Sequence, residues 1–218
     1  VVIILIFLVA IFAPLLAPYA YDAQDLTKSY LEPCAEHPLG TDKFGRDTLS
    51  RLIWGSRNSL AMGLGCVAFS AILGITIGSI AGYIGGKVDL IIMRIVDIFQ
   101  SVPSLLMIIV FFSFVPSNMA TLIIMLALFS WTGVARIVRA QTLTLKERDF
   151  VVAAKVLGVS DAKIIARHII PNMATQIIVA ASLSVASAIL DESALSFLGY
   201  GVALPKSSWG SMLQNAQQ

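Results

Sequence analysis

Charged residues are absent from four long stretches of the chain, and these stretches predict its main elements. They are Val1–Tyr21, Asn58–Gly86, Ile98–Ala135 and Ile169–Leu190. A helix needs about 20 mostly apolar residues to cross the hydrocarbon of a bilayer. The third stretch is too long for one crossing and is interrupted at Val115–Asn118, where Pro, Ser and Asn favour a turn. The pattern therefore predicts an all-α, polytopic membrane helical bundle with about five transmembrane helices.

We interpret the whole chain as a single transmembrane domain. The five predicted spans lie at about 1–18, 59–83, 89–114, 119–138 and 172–198. Pro103 predicts a kink in the third of them, because its ring removes a backbone donor and crowds the preceding turn.

The composition supports this class of protein. Of the 218 residues, 57% are apolar and only 13% are charged, whereas soluble domains average about 25% charged. The net charge of +2 is too small for a nucleic-acid-binding surface. Two cysteines, Cys34 and Cys66, exclude a disulfide scaffold. Cys34 lies near His37, but we predict no metal site, because turn-rich loops bring such neighbours together by chance.

The distribution of Lys and Arg predicts the orientation in the membrane. Segment 136–168 carries seven basic residues against three acids, while 19–57 carries five against six. Because basic residues accumulate on the cytoplasmic side, we predict a cytoplasmic loop at 139–171, called the coupling loop below. The segment 19–57 is then extracytoplasmic and is called the outer loop. The predicted location is the cell (inner) membrane, with several crossings.

A stripe of small residues follows one face of the second predicted span. Gly74, Gly78 and Gly82 repeat every four residues, in line with Cys66 and Ser70. Such stripes allow helix backbones to approach closely in lipid. We interpret the three glycines as helix-packing residues within the chain, and a sliding interface between subunits is the alternative.

Two acidic residues within the predicted spans are candidates for a gate or a transport pathway. Ionisable groups are costly in a membrane and often mark function there. Asp97 lies three residues after Arg94, so pairing between the two is the simpler explanation. Glu192 follows Asp191 in an otherwise apolar or small-residue stretch, and a structural partner is the simpler explanation for it.

The coupling loop is longer than a plain connection between two spans requires. Asp149 is placed to cap a short helix through Leu157, with Gly158 just past its end. Ser160 is placed to cap a second helix that stops before Pro171. The sequence thus predicts two short helices folded at a glycine on the cytoplasmic face.

This loop resembles a known motif. Ala153-Ala154-x-x-x-Gly158, with twelve residues before Pro171, is similar to the EAA loop of ABC importer permeases, although Val152 stands where the motif has Glu. Further motifs in matching order resemble the dipeptide, oligopeptide and nickel permeases, and in particular their second, C-type chain. These motifs are His37-Pro-Leu-Gly-Thr-Asp42, Gly45-Arg-Asp47, Gly82-Tyr-x-Gly-Gly, Arg167-His-Ile-Ile-Pro-Asn172, Ser196-Phe-Leu-Gly199 and Ser208-Trp-Gly210. Members of this family have six spans, so the chain resembles one cut before its last helix.

The resemblance implies a function and a set of partners. The chain would be a membrane subunit of an ATP-driven importer of short peptides, working beside a related permease chain, two cytoplasmic ATPases and an extracytoplasmic binding protein. The residues implied in coupling to the ATPases are Val152, Ala153, Ala154, Lys155, Gly158 and Asp161. The chain would not be an enzyme and would carry no cofactor. It lacks the Gly-x4-Gly-Lys-Ser/Thr phosphate loop, so ATP and Mg²⁺ would bind to the partner ATPases.

Three other interpretations remain open from the sequence. The same machinery could carry nickel or another small solute, because the cargo is read mainly by the binding protein. An ion-coupled secondary transporter would use Asp97 and Glu192 as ion sites and would carry inverted repeats, of which we find no convincing example. A membrane scaffold would lay the basic coupling loop on the lipid surface, although Ala153, Ala154 and Gly158 would anchor it weakly.

Overall fold

The computed structural model describes residues 2–202 and 205–216, and their regular structure is helical. A ten-residue and a four-residue helix come first, and a 3₁₀ turn at Leu26–Lys28 lies in the outer loop. The bounds of the α-helices are α1 Val2–Ile11, α2 Ala13–Leu16, α3 Thr48–Ile84, α4 Gly86–Ser101, α5 Ser104–Phe112, α6 Met119–Leu145, α7 Asp149–Val156, α8 Asp161–Ile164, α9 Ile170–Asn172, α10 Ala174–Phe197 and α11 Trp209–Asn215.

Three of these helices, α3, α6 and α10, are long and apolar enough to cross a membrane. Helices α4 and α5 meet the same criterion together but are bent by 73° at Val102–Pro103, so the described residues hold three or four candidate spans. The bend confirms the predicted kink at Pro103, which cannot donate a backbone hydrogen bond. The predicted span at 1–18 corresponds to α1 and α2, which are too short to meet the criterion, and it stays a prediction.

Two helices extend beyond the predicted bounds. Helix α3 begins at Thr48 rather than near residue 59, because the Oδ2 atom of Asp47 accepts a hydrogen bond from the Ser50 N–H at 2.7 Å and caps the first turn. Helix α6 continues to Leu145 and takes the first residues of the predicted coupling loop with it. Charged residues mark where the membrane ends, whereas a helix continues as long as its backbone groups are paired.

The chain forms two compact units. The first consists of 1–64, 109–123 and 187–218, and includes the outer loop, whose Thr41 and Asp47 form an isolated antiparallel bridge. The second consists of 65–108 and 124–186, and includes the coupling loop.

Within the second unit, the glycine stripe of α3 packs against α6. A Cβ at Gly74 would lie 2.7 Å from the Cβ of Val134, one at Gly78 would lie 2.5 Å from the carbonyl oxygen of Ala135, and one at Gly82 would lie 2.7 Å from the Cβ of Thr142. No side chain fits in these spaces, so the three glycines set the distance between α3 and α6.

The sequence predicted that the second helix of the coupling loop stops before Pro171, but in the structure the helical path continues past this residue. Ile165–Ile169 form a π turn, in which the Ile170 N–H donates to the carbonyl oxygen of Ile165, and α9 follows with Pro171 in its first turn. Pro171 has no N–H to donate, and proline is tolerated in the first turn of a helix, where its fixed φ suits the helical backbone. The helical path therefore continues to Asn172 and resumes in α10 after Met173.

Candidate coupling site

Helix α7 presents an apolar ridge to its surroundings. Val152 and Val156 lie four residues apart on one face of the helix, with exposed fractions of 49% and 82%. Leu157, directly after the helix, is also 82% exposed. Val152, Val156 and Leu157 are called the α7 ridge below. Large apolar side chains exposed side by side indicate a surface that another molecule covers.

The opposite face of α7 is buried in the second unit. Val151 and Ala154 belong to one apolar cluster with residues of α6, α8, the π turn and the link before α10, namely Val134, Val138, Ile164, Ile169 and Met173. The sequence placed Ala154 on a flat patch open to a partner. The structure corrects this, because the Ala154 side chain is 6% exposed and faces its own chain.

Gly158 lies at the turn between α7 and α8, and its backbone φ is +79°. This left-handed conformation favours glycine and ends α7, as predicted. The predicted caps differ in detail. Arg148 occupies the N-cap position of α7, so that Asp149 is the first helical residue, and the Ser160 side chain makes no capping hydrogen bond to α8.

Tyr83, in the last turn of α3, contacts the coupling loop from within the second unit. Its hydroxyl donates a hydrogen bond to Oδ1 of Asp161 at 2.8 Å, and Nζ of Lys155 lies 5.9 Å from its ring centroid. A cavity of about 340 Å³ opens beside the ring and is lined by Tyr83, Lys146, Glu147, Val151, Val152, Lys155 and Val156. The family motif predicted roles for Asp161 and Lys155, whereas Tyr83 was noted only as part of Gly82-Tyr-x-Gly-Gly and was given no role.

The predicted coupling residues thus divide into two groups. Val152, Ala153, Lys155, Gly158 and Asp161 are exposed, and Ala154 is buried. The structure adds Val156 and Leu157, which the family motif did not single out. Their signal in the sequence was an apolar pair directly before a glycine, at a position where a solvated helix end would carry polar residues.

Asp97, the first gate candidate, pairs chiefly with a residue that sequence analysis did not consider. Its Oδ1 atom lies 2.6 Å from an Nη atom of Arg136 on α6, whereas Arg94 approaches its Oδ2 atom only to 3.9 Å. In a neighbouring pair, Arg139 donates to both carboxylate oxygens of Asp89. These ion pairs connect α4 to α6, and a role of Asp97 in a gate stays a prediction.

Glu192, the second gate candidate, is fully buried in the first unit. Its Oε1 atom accepts hydrogen bonds from the hydroxyls of Ser196 at 2.6 Å and Ser208 at 2.7 Å. Ser208 in turn caps α11 through a reciprocal pair of hydrogen bonds with Ser211. The carboxylate therefore holds the start of α11 against α10, and a pathway role for Glu192 also stays a prediction.

The outer loop is organised around buried charges. His37 Nδ1 lies 3.0 Å from Oδ1 of Asp47, and the Asp42 carboxylate binds the Arg46 guanidinium at 2.7 Å, with Arg51 3.6 Å away. Burial acts to raise the pKa of Asp42, but hydrogen bonds from the Arg46 side chain and from the backbone N–H groups of Arg46 and Phe44 outweigh it and lower the pKa.

Two family models together match most of the chain. Residues 74–217 match the binding-protein-dependent transport system inner membrane component family, and residues 1–33 match the N-terminal transmembrane domain of oligopeptide transport permease C. In fold, 71% of the chain superimposes on 76% of a chain from inward-facing structures of the MetNI methionine ABC transporter, with a TM-score of 0.61 and 19% identity.

Curated relatives agree with these matches. The chain is 41% identical to the oligopeptide transport system permease protein OppC of Bacillus subtilis over 97% of its own length and 70% of the relative's. It is 43% identical to the OppC protein of Escherichia coli over 99% of its length and 72% of the relative's. It is 38% identical to the dipeptide transport system permease protein DppC of B. subtilis over 97% and 66%. The chain therefore belongs to the binding-protein-dependent transport system inner membrane components, and is a multi-pass permease subunit of an ABC importer.

Proposed function

We propose that this chain, paired with a related permease chain, forms the membrane path by which short peptides enter the cell. The names of its relatives, which are oligopeptide and dipeptide permeases, support this cargo. A binding protein delivers the peptide on the outer side, and two cytoplasmic ATPases supply the energy. ATP and Mg²⁺ bind to those ATPases, and this chain carries no cofactor and catalyses no reaction itself.

The α7 ridge is the observation that carries the proposal. Full burial of an exposed Val or Leu side chain contributes about 1.5–3 kcal/mol to the free energy of binding. Val156 and Leu157, each 82% exposed, thus offer a substantial binding energy to a partner with an apolar groove. The buried face of α7 is anchored in the apolar cluster of the second unit, so force applied to the ridge reaches α6 and the π turn. A docked ATPase is the partner that the family leads us to expect.

The docking test uses a charge at the ridge. The permease complex is purified through a tag on this chain, and the ATPase recovered with it is measured for wild type and Leu157→Glu. We expect recovery of the ATPase to fall at least about tenfold. The free-energy cost of burying a carboxylate at the interface exceeds the free energy that burial of the leucine contributes. The matched control is Leu26→Glu, which changes a 70% exposed leucine of the outer loop and is expected to leave recovery unchanged.

The possible outcomes separate the parts of the proposal. Absence of ATPase from the wild-type complex would contradict the importer mechanism as a whole. Equal recovery with wild type and Leu157→Glu would contradict docking at the α7 ridge alone. Uptake of a labelled tripeptide that excess unlabelled dipeptides and tripeptides suppress, and nickel ions do not, is the result expected for a peptide cargo.

A further inference from the structure

Tyr83 contacts both sides of the turn at Gly158. Its hydroxyl donates to Asp161, the first residue of α8, at 2.8 Å. Its ring faces Lys155 near the end of α7, with Nζ 5.9 Å from the ring centroid, which is within the range of a cation–π interaction. One side chain from the end of α3 therefore bridges the two helices that the turn joins.

Contacts on either side of the turn hold its angle, since Val151 and Ala154 of α7 share one apolar cluster with Ile164 of α8. A Cβ placed on Gly158 would have no heavy atom of the described residues within 4 Å, so the turn is open on this side. Its left-handed backbone is accessible to glycine at little cost, and glycine is the most flexible residue. The angle between α7 and α8 thus depends on contacts made at either side of the turn.

The helix end that carries Tyr83 is, in contrast, held firmly. A Cβ on the preceding residue, Gly82, would lie 2.7 Å from the Cβ of Thr142 on α6, so the two helices touch there. The carbonyl oxygen of Gly82 also accepts a hydrogen bond from Nζ of Lys146 at 3.1 Å. Tyr83 therefore projects from a fixed support rather than from a mobile loop end.

We propose that Tyr83 is a positioning residue that sets the angle between α7 and α8, so that movement of the α7 ridge is passed to α3 and not lost at the Gly158 turn. This inference rests on the proposed function, because it takes the α7 ridge as the docking point of the ATPase. The hydrogen bond from Tyr83 to Asp161 provides the stiffness, and the Lys155 contact keeps the ring between the two helices.

The test measures coupling rather than binding. The permease complex with its ATPases and binding protein is reconstituted in liposomes. The measured quantity is the ratio of ATP molecules hydrolysed to labelled tripeptides taken up. We expect Tyr83→Phe, which keeps the ring and loses the hydroxyl, to raise this ratio about fivefold, the factor that corresponds to one hydrogen bond. Asp161→Ala should give the same rise. The double variant should show no further rise, because both changes remove one interaction.

Two controls identify the hydrogen bond as the cause. Asp161→Asn keeps an oxygen that accepts from the Tyr83 hydroxyl and should stay within about twofold of wild type. Tyr30→Phe removes a hydroxyl from a 67% exposed tyrosine of the outer loop and should leave the ratio unchanged. ATPase recovery with Tyr83→Phe should equal that of wild type.

Three results would overturn the role of Tyr83. The first is an unchanged ratio in Tyr83→Phe, and the second is a ratio in the double variant that equals the product of the two single effects. The third is loss of the ATPase from the Tyr83→Phe complex, which would make Tyr83 a docking contact instead. Each of them leaves the importer mechanism standing when wild type recovers ATPase and transports peptide. If wild type recovers no ATPase, the proposed function fails, and the role of Tyr83 fails with it.

Discussion

In the outer loop three charged side chains are buried, whereas in the coupling loop the three large apolar side chains of the α7 ridge are exposed. Arg46, Asp47 and Arg51 have residue exposures of 3%, 4% and 2%, while Val156 and Leu157 are each 82% exposed. The outer loop binds its charges through its own hydrogen bonds and ion pairs. In the coupling loop, the hydrogen bond that Asp161 accepts from Tyr83 of α3 lies near the surface. Part of the apolar surface of this loop faces outward.

The difference indicates what each loop needs in order to be stable. A buried charge is tolerated only where partners compensate for lost water, and in the outer loop Asp42 and Asp47 supply such partners from within the loop. An exposed apolar ridge stabilises the molecule only when another surface covers it. The outer loop is therefore expected to be rigid before any partner binds, and the coupling loop is expected to gain stability from its partner.

The largest expected effect comes from removal of the Asp47 carboxylate. Asp47→Ala loses the cap of α3 at Ser50 and the contact with His37, and we expect the free energy of unfolding to fall by about 2–4 kcal/mol. Thermal unfolding of the purified protein in detergent measures the change. The matched control is Glu147→Ala in the coupling loop, where the side chain is exposed and little should change. Equal loss in both variants would remove the contrast between the loops.

A smaller effect is expected from two adjacent alanines of α7. Ala154→Leu forces extra volume into a filled cluster and should lower the free energy of unfolding by about 1–3 kcal/mol. Ala153→Leu adds the same volume on the exposed face and should have almost no effect on stability. Thermal unfolding of both variants measures this difference. If Ala153→Leu is the more damaging, the assignment of the inner and outer faces of α7 is wrong.

The smallest expected effect is a dependence of the outer loop on pH. Because its hydrogen bonds hold the pKa of Asp42 below the ordinary value of 3.8, the ionised carboxylate stabilises the fold above that value, and this contribution is lost as the pH falls through the lowered pKa. Cleavage of the loop by an acid protease should accelerate as the pH falls below 3.8 and through the lowered pKa of Asp42. Asp42→Asn should show a weaker acceleration, because residue 42 no longer titrates. Some acceleration should remain, because the exposed Asp25 and Glu36 still titrate. An identical pH profile in this variant would contradict the role of Asp42.

The sequence predicted features that depend on neighbouring residues. Charge-free stretches predicted the long apolar helices, Pro103 predicted the bend between α4 and α5, and Gly158 predicted the end of α7. Contacts between distant residues were missed. Arg136 and Asp97 lie 39 positions apart, and Tyr83 and Asp161 lie 78 apart. Periodicity along one helix contains no information about which residues of another helix it meets, and for the same reason the inward orientation of Ala154 was not foreseen.

The π turn at Ile165–Ile169 changes the angular register of the helical path between the coupling loop and α10. A π turn holds one residue more than an α-helical turn, and each residue of an α-helix corresponds to a rotation of about 100° and a rise of about 1.5 Å. The extra residue therefore displaces the helical path by about 100° about its axis and about 1.5 Å along it, compared with a regular α-helix. The faces of the helix before and after the turn are thus offset by one residue, so a four-residue repeat of side chains in the sequence does not continue across it.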